Sequence, residues 1–456
     1  MNTTAILPVD LGDKRLDNRC NKLIEQFMAK PSSSIPQACV SWKDTKAAYR
    51  FFANDDVSPD DLLSAHYSQT QKLIKRHRGI ILAAQDTTDI DHTTHPQTKG
   101  LGYLEMEHLY GMKVHSCMAI TETGVPLGLL HQQRWVRNQE EYGKRQLEKL
   151  KPIEDKESFR WITTMQAVSD SVPDSKTVIL IGDRESDIYA LFATPRKDNI
   201  HLLVRAAQNR NVESEQRHLF TTVRELPITG NLTIQLSKTP ARKPRTATLS
   251  VHFGKVTIKS PNRGVGRAKG RVNLFVVAAV EDKPPKGTEP VKWVLLTTYP
   301  VSSFATATTI ISWYTKRWLI ERFHYTLKSG CQVEELQLKE ELRLERALAL
   351  YTIVAWQLLY ITYETRKHPN TPCTKILSTD EWQALVSMSE GRKTKRTTPP
   401  TMQEAVSMIA RLGGFLGRKG DKDPGVKTLW IGLRRLSDIA ATWQLLLRVD
   451  EDVGKG

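Results

Sequence analysis

Apolar residues in the first half of the chain gather into short runs that end on acids. Gly79-Ile-Ile-Leu-Ala-Ala-Gln85 stops at Asp86, and Thr177-Val-Ile-Leu-Ile-Gly182 stops at Asp183. Continuous runs of this length bounded by polar residues read as buried strands, so each is expected to deliver a carboxylate at its C-terminal end. Two more strand-like runs, Met112 to Thr121 and Pro126 to Trp135, flank the turn Glu122-Thr-Gly124. Phe159, Ile162, Met165 and Val168 recur at helical spacing, and His201-Leu-Leu-Val-Arg205 is a further strand. The order β-β-β-α-β-α-β predicts a mixed α/β sheet with acidic residues at strand ends.

The pattern changes on either side. The first eighty or so residues read as helical, with polar breaks at Pro31-Ser-Ser-Ser and Asn54-Asp-Asp, and basic residues recur throughout (Lys14, Arg15, Arg19, Lys43, Lys46, Arg50). Such a module suits DNA binding. From Pro227 to Val280 there is no acid but ten basic residues: Lys238, Arg242, Lys243, Arg245, Lys255, Lys259, Arg263, Arg267, Lys269 and Arg271. Thr248-Leu-Ser-Val-His-Phe and Lys255-Val-Thr-Ile-Lys within it predict two antiparallel strands, a basic β insertion suited to phosphate or else a solvated basic loop. Trp293-Val-Leu-Leu-Thr-Thr is one more strand, and helices follow to the end. In the tail, Leu433, Leu436, Ile439, Trp443 and Leu446 repeat at helical spacing, a face that a partner helix would cover.

Composition narrows the partner. Lys and Arg outnumber Asp and Glu by 66 to 50 over 456 residues, a net charge of +16, as expected of a protein that meets a polyanion. The five cysteines, Cys20, Cys39, Cys117, Cys331 and Cys373, never form a C-x-x-C pair, so neither a disulfide framework nor a zinc knuckle is indicated. A reducing cytoplasm fits best, with no export segment expected. Ala347 to Tyr363 is uncharged and mostly apolar, but short for a bilayer span. We expect a buried core helix there and no membrane partner.

Tyr314, Arg317, Glu321 and Lys328 carry the most specific chemistry. On a continuous helix, at about 100° per residue, their offsets fall within about 60° of one another. One face would then hold a phenol, a carboxylate and two cations; an exposed salt-bridged face is the plainer alternative. Phosphoryl transfer gives the combination a purpose: paired divalent metal ions activate a nucleophile and stabilise the leaving oxygen, and Mg²⁺ takes carboxylate ligands. Asp86, Asp183 and Glu321 would supply them. Asp89 and Asp91 compete with Asp86, and Glu185 and Asp187 with Asp183; strand-end position favours the first of each group. His92 and His95 with Glu105, Glu107 and His108 offer a weaker zinc set. Gly413-Gly-Phe-Leu-Gly-Arg-Lys lacks the spacing of a nucleotide-binding phosphate loop, so no nucleotide cofactor is expected.

These residues resemble a known family. Tyr314-(2)-Arg317-(3)-Glu321-(6)-Lys328 matches the YREK signature of bacterial insertion-sequence-four DDE transposases, and Tyr-Thr-Lys-Arg-Trp-Leu-Ile-Glu-Arg-Phe-His around it looks closest to the transposon-five (insertion-sequence-fifty) group. Asp86-Thr-Thr and Asp183-Arg-Glu-Ser-Asp-Ile match its two aspartate motifs, and Ala410-Arg-Leu-Gly-Gly-Phe its far end. Leu11-Gly-Asp-Lys-Arg and Ala48-Tyr-Arg-Phe-Phe resemble its DNA-binding module.

The resemblance implies an RNase H-like catalytic core with a mixed sheet and a β insertion, flanked by helical domains. The expected division is an end-binding domain over 1–60, a catalytic domain over 61–365 with the insertion at about 227–300, and a dimerisation domain over 366–456. It implies cut-and-paste transposition by hydrolysis, hairpin formation and joining of 3′-ends to target DNA. Asp86, Asp183 and Glu321 would bind two Mg²⁺ ions, replaceable by Mn²⁺. Tyr314, Arg317, Lys328, Arg205 and Arg210 would contact DNA phosphates, and Trp293 would hold a flipped base. Arg15, Arg19 and Arg50 are candidates for end recognition. Tyr325 departs from the pattern, standing where the transposon-five group has a lysine. The partners implied are double-stranded DNA, both terminal repeats and target, and a second copy in a synaptic complex at the bacterial nucleoid. A catalytically silent end-binding regulator and a stand-alone metal-dependent nuclease are the competing readings.

Overall fold

The computed structural model describes residues 8–144, 151–236, 244–261, 270–390 and 396–453, with side chains to 446. Four helices open the chain: α1 (Lys14–Ala29), α2 (Ile35–Cys39), α3 (Trp42–Phe52) and α4 (Pro59–Arg76). Their starts are set locally. Asp13, Ser41 and Ser58 each accept a hydrogen bond from the first turn of α1, α3 and α4, which satisfies donors that a helix leaves open. Leu23, Ile24 and Phe27 of α1 and Phe51 and Phe52 of α3 are buried.

The middle of the chain forms β1 (Ile81–Asp91), β2 (Gly102–Tyr103), β3 (Tyr110–Thr121), β4 (Pro126–Trp135), α5 (Arg160–Ser171), β5 (Val178–Gly182), α6 (Tyr189–Ala193), β6 (Ile200–Arg205), α7 (Leu219–Glu225), β7 (Gly230–Leu236), β8 (Arg245–Lys259), β9 (Arg271–Val280) and β10 (Lys292–Thr297). They make one ten-stranded sheet in the order β2-β3-β1-β5-β6-β10-β9-β8-β7, with β4 also on β3. Among the strands of the described residues, only β1–β5 and β5–β6 run parallel. Three antiparallel strands followed by two parallel ones is the RNase H-like arrangement implied by the sequence. Alternation divides the core between the sheet's two faces: Leu82 and Ala84 join one apolar cluster, Ile81 and Ala83 the other.

Three details differ from the sequence reading. β1 does not end at Asp86; it runs on to Asp91 because β3 pairs with it along its whole length, Asp91 opposite Gly111. The two short strands expected at 248–253 and 255–259 are one, continuous through Gly254, since β9 pairs with residues 250 to 259 without a break. The insertion is also no separate unit, because β10 pairs with both β9 and β6 and so continues the central sheet. Of its ten cations, Lys238, Arg242, Lys243, Arg263, Arg267 and Lys269 lie outside the described residues. Arg245 pairs with Glu281, at 2.8 Å for the second guanidinium nitrogen.

Helices α8 (Phe304–Thr315), α9 (Trp318–Tyr325), α10 (Glu341–Lys367), α11 (Thr379–Glu390), α12 (Met402–Leu412) and α13 (Val426–Val453) complete the chain. α10 contains the apolar stretch weighed as a membrane span, and 94% of that window is buried inside the fold. It touches α1, α3 and α4 on one side and α12 and α13 on another. Phe27 stacks on Tyr351 at 4.6 Å between ring centroids, and buried Arg346 donates to the carbonyls of Phe52 and Val57 at 2.9 and 2.7 Å. In the last helix Leu433 and Leu436 are buried, while Leu445 and Leu446 face solvent.

Candidate active site

Sheet register brings the two aspartates together. Ala84 of β1 lies beside Ile181 of the parallel β5, and Asp86 and Asp183 each stand two residues further along. Neighbouring strands are about 4.8 Å apart, so both carboxylates leave the sheet at one level. Here β1 passes from buried to half-buried positions. Asp183 follows the last residue of β5 and caps the short turn Arg184–Ser186, accepting from the Glu185 amide at 2.8 Å.

Glu321 arrives from α9, which packs across β1. The expected single helix from 314 to 328 is interrupted twice. α8 ends at Thr315 and α9 starts at Trp318, with Arg317 at the joint, and the last turn widens to a π turn at Thr326–Gly330. The four residues of the stripe therefore do not share one face in the simple way a straight helix would give. Tyr314 turns into the core, Glu321 is about half exposed, and Lys328 reaches the end of β1, its Nζ donating to the Asp89 carbonyl at 2.8 Å and pairing with Glu334 at 2.9 Å.

Arg317 sits among the acids. Its guanidinium is bonded to Glu321 and lies 3.9 Å from Asp86. The Asp86 carboxyl is nevertheless pushed up to about 7: burial penalises its charge most, Arg317 opposes that, and Asp183 and Glu321 add repulsion. Three acids thus face one another at a cost that a hard cation with oxygen ligands would relieve. The donor chemistry fits a divalent metal ion. The side chains are not drawn into a closed cage, since among the described residues no three His, Cys, Asp or Glu groups form one, and Arg317 fills the space between two of the acids. His324, missed in the sequence, is buried with Nδ1 3.8 Å from Asp86. Burial holds it down to about 3, so it contributes a neutral ring.

The competing acids are each engaged elsewhere. Asp89 takes the ammonium of Lys113 at 2.7 Å, and Asp91 accepts from the Thr93 amide at 2.9 Å and its hydroxyl at 2.6 Å. Glu185 pairs with Arg160 at 2.7 Å, and Asp187 is enclosed by Arg210 at 2.7 Å and the amides of Ala207 and Gln208. Arg160 was also missed. It bonds Thr87 next to Asp86 at 2.9 Å and Glu185 next to Asp183, lying 5.3 Å from the Trp161 ring, so it spans both aspartate motifs. Its only sequence trace was an arginine between Phe159 and Trp161.

Beside the acids, Trp293 meets Tyr314 edge-on at 6.1 Å. Burial raises the Tyr314 phenol above its ordinary range, opposed in part by the charges and hydrogen bonds of Arg317 and Arg205. Arg205 also donates to the Lys292 carbonyl at 3.1 Å. Trp293, Tyr314, Arg205, Arg317 and Glu321 therefore form one continuous wall. Arg210 does not join it, because its side chain is 5% exposed and held by Asp187. Of the N-terminal candidates, Arg19 is bonded to Asp44 at 3.0 Å, whereas Arg15 and Arg50 are exposed. The zinc set does not assemble: His92 is buried, Glu105 pairs with Lys113 at 2.9 Å, and Glu107 and His108 face solvent.

Comparison with known families agrees with this division of labour. Residues 4–57 match the transposase DNA-binding family, and residues 353–443 match the transposase Tn5 dimerisation domain. Residues 82–357, well over half the chain, match the transposase DDE domain and include all three acids. DNA binding, dimer formation and dependence on divalent metal accompany those domains. The chain belongs to the transposase DDE domain family and is a DNA transposase related to the Tn5 type.

Proposed function

We propose that this protein is a cut-and-paste transposase whose Asp86, Asp183 and Glu321 hold two Mg²⁺ ions, with Mn²⁺ able to replace them. The observation that carries the reading is the contrast among acids: these three repel one another around a single shared cation, Arg317, while Asp89, Asp91, Glu185 and Asp187 are each engaged by groups outside that cluster. When bound, the metal supplies a Lewis acid and a water acidified enough to act as a nucleophile.

The protein's own groups prepare the substrate. Arg317 exchanges Glu321 for a phosphate of the cleaved strand, which it fits as a planar fork, and Lys328 adds a point charge. Arg205 holds Tyr314 against the same backbone. Trp293 offers a flat apolar face to a base turned out of the duplex, where stacking compensates for the lost base pair. Water cleaves one strand at the transposon end, the freed 3′-hydroxyl attacks the opposite strand to close a hairpin, and water reopens it. The 3′-ends then join target DNA within a homodimer that holds two ends in a synaptic complex.

The test is a plasmid carrying two copies of the inverted repeats that flank the gene, incubated with purified protein and Mg²⁺. The expected product is an excised linear fragment with hairpin ends on a denaturing gel, followed by integration. No nick at either repeat overturns the reading, and hydrolysis without any joining of 3′-ends identifies a nuclease instead.

A further inference from the structure

The N-terminal module carries a strained turn beside two large apolar side chains in solvent. α2 ends at Cys39 and α3 begins at Trp42, so only Val40 and Ser41 join them. Val40 has φ +62° and ψ −42°, closed by a hydrogen bond from the Ser41 amide to the Cys39 carbonyl at 2.6 Å. A three-residue turn of this hand is rare, and a β-branched residue at its centre is strained. Strain of this kind persists where the surroundings enforce it and gathers at ligand sites.

Val40 is 78% exposed and Trp42 79%, the reverse of what tryptophan usually does in a folded protein. α3 turns Thr45, Ala48, Phe51 and Phe52 inward and Trp42, Lys43, Lys46, Tyr49 and Arg50 outward. Trp42, Lys46 and Tyr49 are four and then three residues apart, so they form one stripe, flanked by Lys43 and Arg50. The helix's only acid, Asp44, is neutralised by Arg19 and Lys22 at 3.0 and 2.7 Å. A five-residue helix, a two-residue turn and a second helix with a cationic outer face is a tighter relative of the helix-turn-helix layout, whose joint is three or four residues and whose second helix enters the major groove with its first residues at base edges.

We propose that Trp42, backed by Val40, reads the sequence of the transposon end. α3 lies in the major groove with Lys43, Lys46 and Arg50 on phosphates. Trp42 makes an apolar contact with a base edge, and the apolar group that the groove displays is the thymine methyl. The proposal rests on the reading of this protein as an end-binding transposase and adds an apolar base-reading residue to the exposed arginines Arg15 and Arg50.

The test begins with full-length protein selecting duplexes from a pool with a randomised core, in physiological salt. Binding is then measured to the selected duplex and to a scrambled one for the wild type, Trp42→Ala, Trp42→Phe and Val40→Gly. Trp42→Ala is expected to weaken the selected duplex about tenfold or more while moving scrambled binding less than about twofold, because phosphate contacts carry non-specific affinity. Trp42→Phe keeps most of the discrimination. Val40→Gly relieves the strained turn, so its Tm does not fall, yet discrimination drops. Replacing one thymine of the selected site by uracil reproduces the loss in the wild type and adds nothing in Trp42→Ala. A wild type that selects a clear consensus, together with a Trp42→Ala variant that selects the same one at the same affinity ratio, overturns the role of Trp42 alone. A wild type that selects no consensus overturns the end-binding reading and this proposal with it.

Discussion

Arg317, at the joint between two helices, is bonded to Glu321 four residues ahead of it in the first turn of the second. On the function proposed above, that pair gives way when metal and DNA bind. Glu321→Gln keeps the shape but removes the charge, so cleavage of an end-bearing plasmid should fall at least about a hundredfold while gel-shift affinity for the ends stays within a few-fold. Arg317→Ala should lower the cleavage rate by a similar factor. If Glu321→Gln cleaves at the wild-type rate, the glutamate is misassigned.

Asp183 and Glu185 stand two residues apart, yet only the first faces the other acids. Asp183→Ala is expected to abolish nicking with end binding retained, whereas Glu185→Ala should lower it by no more than about ten- to a hundredfold, the size of effect seen for groups that orient ligands. The comparison is a time course of plasmid nicking for both variants. Equal losses would remove the distinction drawn from their pairing.

Arg160 ties the two aspartate motifs through Thr87 and Glu185. Its side chain is mostly but not fully buried and Glu185 is largely exposed, so the cost of Arg160→Ala should be about 1 to 3 kcal/mol, below that of a fully buried pair. Urea unfolding measures it. Nicking should fall as well, and Arg160→Lys should restore stability better than rate, because a single ammonium cannot span both partners.

Burial lowers His66 to about 3, and its Nε2 accepts from the Leu129 amide at 2.9 Å. The unfolded chain titrates near 6.5, so below that pH the unfolded state binds a proton that the native state refuses. The stability associated with neutral His66 is therefore complete above about pH 6.5 and is lost as pH falls towards 3. At pH 5 the loss from this residue is about 2 kcal/mol. Denaturant melts from pH 7.5 to 5 should show at least that slope, to which the buried His324, His92 and His131 add in the same direction, and His66→Gln should lessen it by about the share of one histidine; a slope unchanged by His66→Gln would assign the acid sensitivity to those other groups.

Strand placement was legible because buried runs such as Ile81 to Ala84 and Val178 to Ile181 are apolar without interruption. The extension of β1 to Asp91 was not, since residues 86 to 91 are polar apart from Ile90 and are held by β3 rather than by their own preference. The acids were legible as candidates, but the choice among neighbours depends on partners tens of residues away, as with Lys113 for Asp89 and Arg210 for Asp187. The stripe from Tyr314 to Lys328 was read as one straight helix because no Pro or Gly marks the break. The turn at Val40 was equally invisible, for valine is the last residue that local rules would place there.

α10 is a single helix that belongs to two matched families and supports a third: its end at Lys367 lies within the dimerisation match, its start within the DDE match, and its Arg346 and Tyr351 grip the DNA-binding module. A shared rod of this kind works as a ruler. On the readings proposed above, with α3 on the end and the same chain cutting it, the distance from the base pairs that α3 meets to the cut phosphate is set by the protein and not by the DNA, so inserting one base pair between them should move the cut by one nucleotide relative to the end sequence.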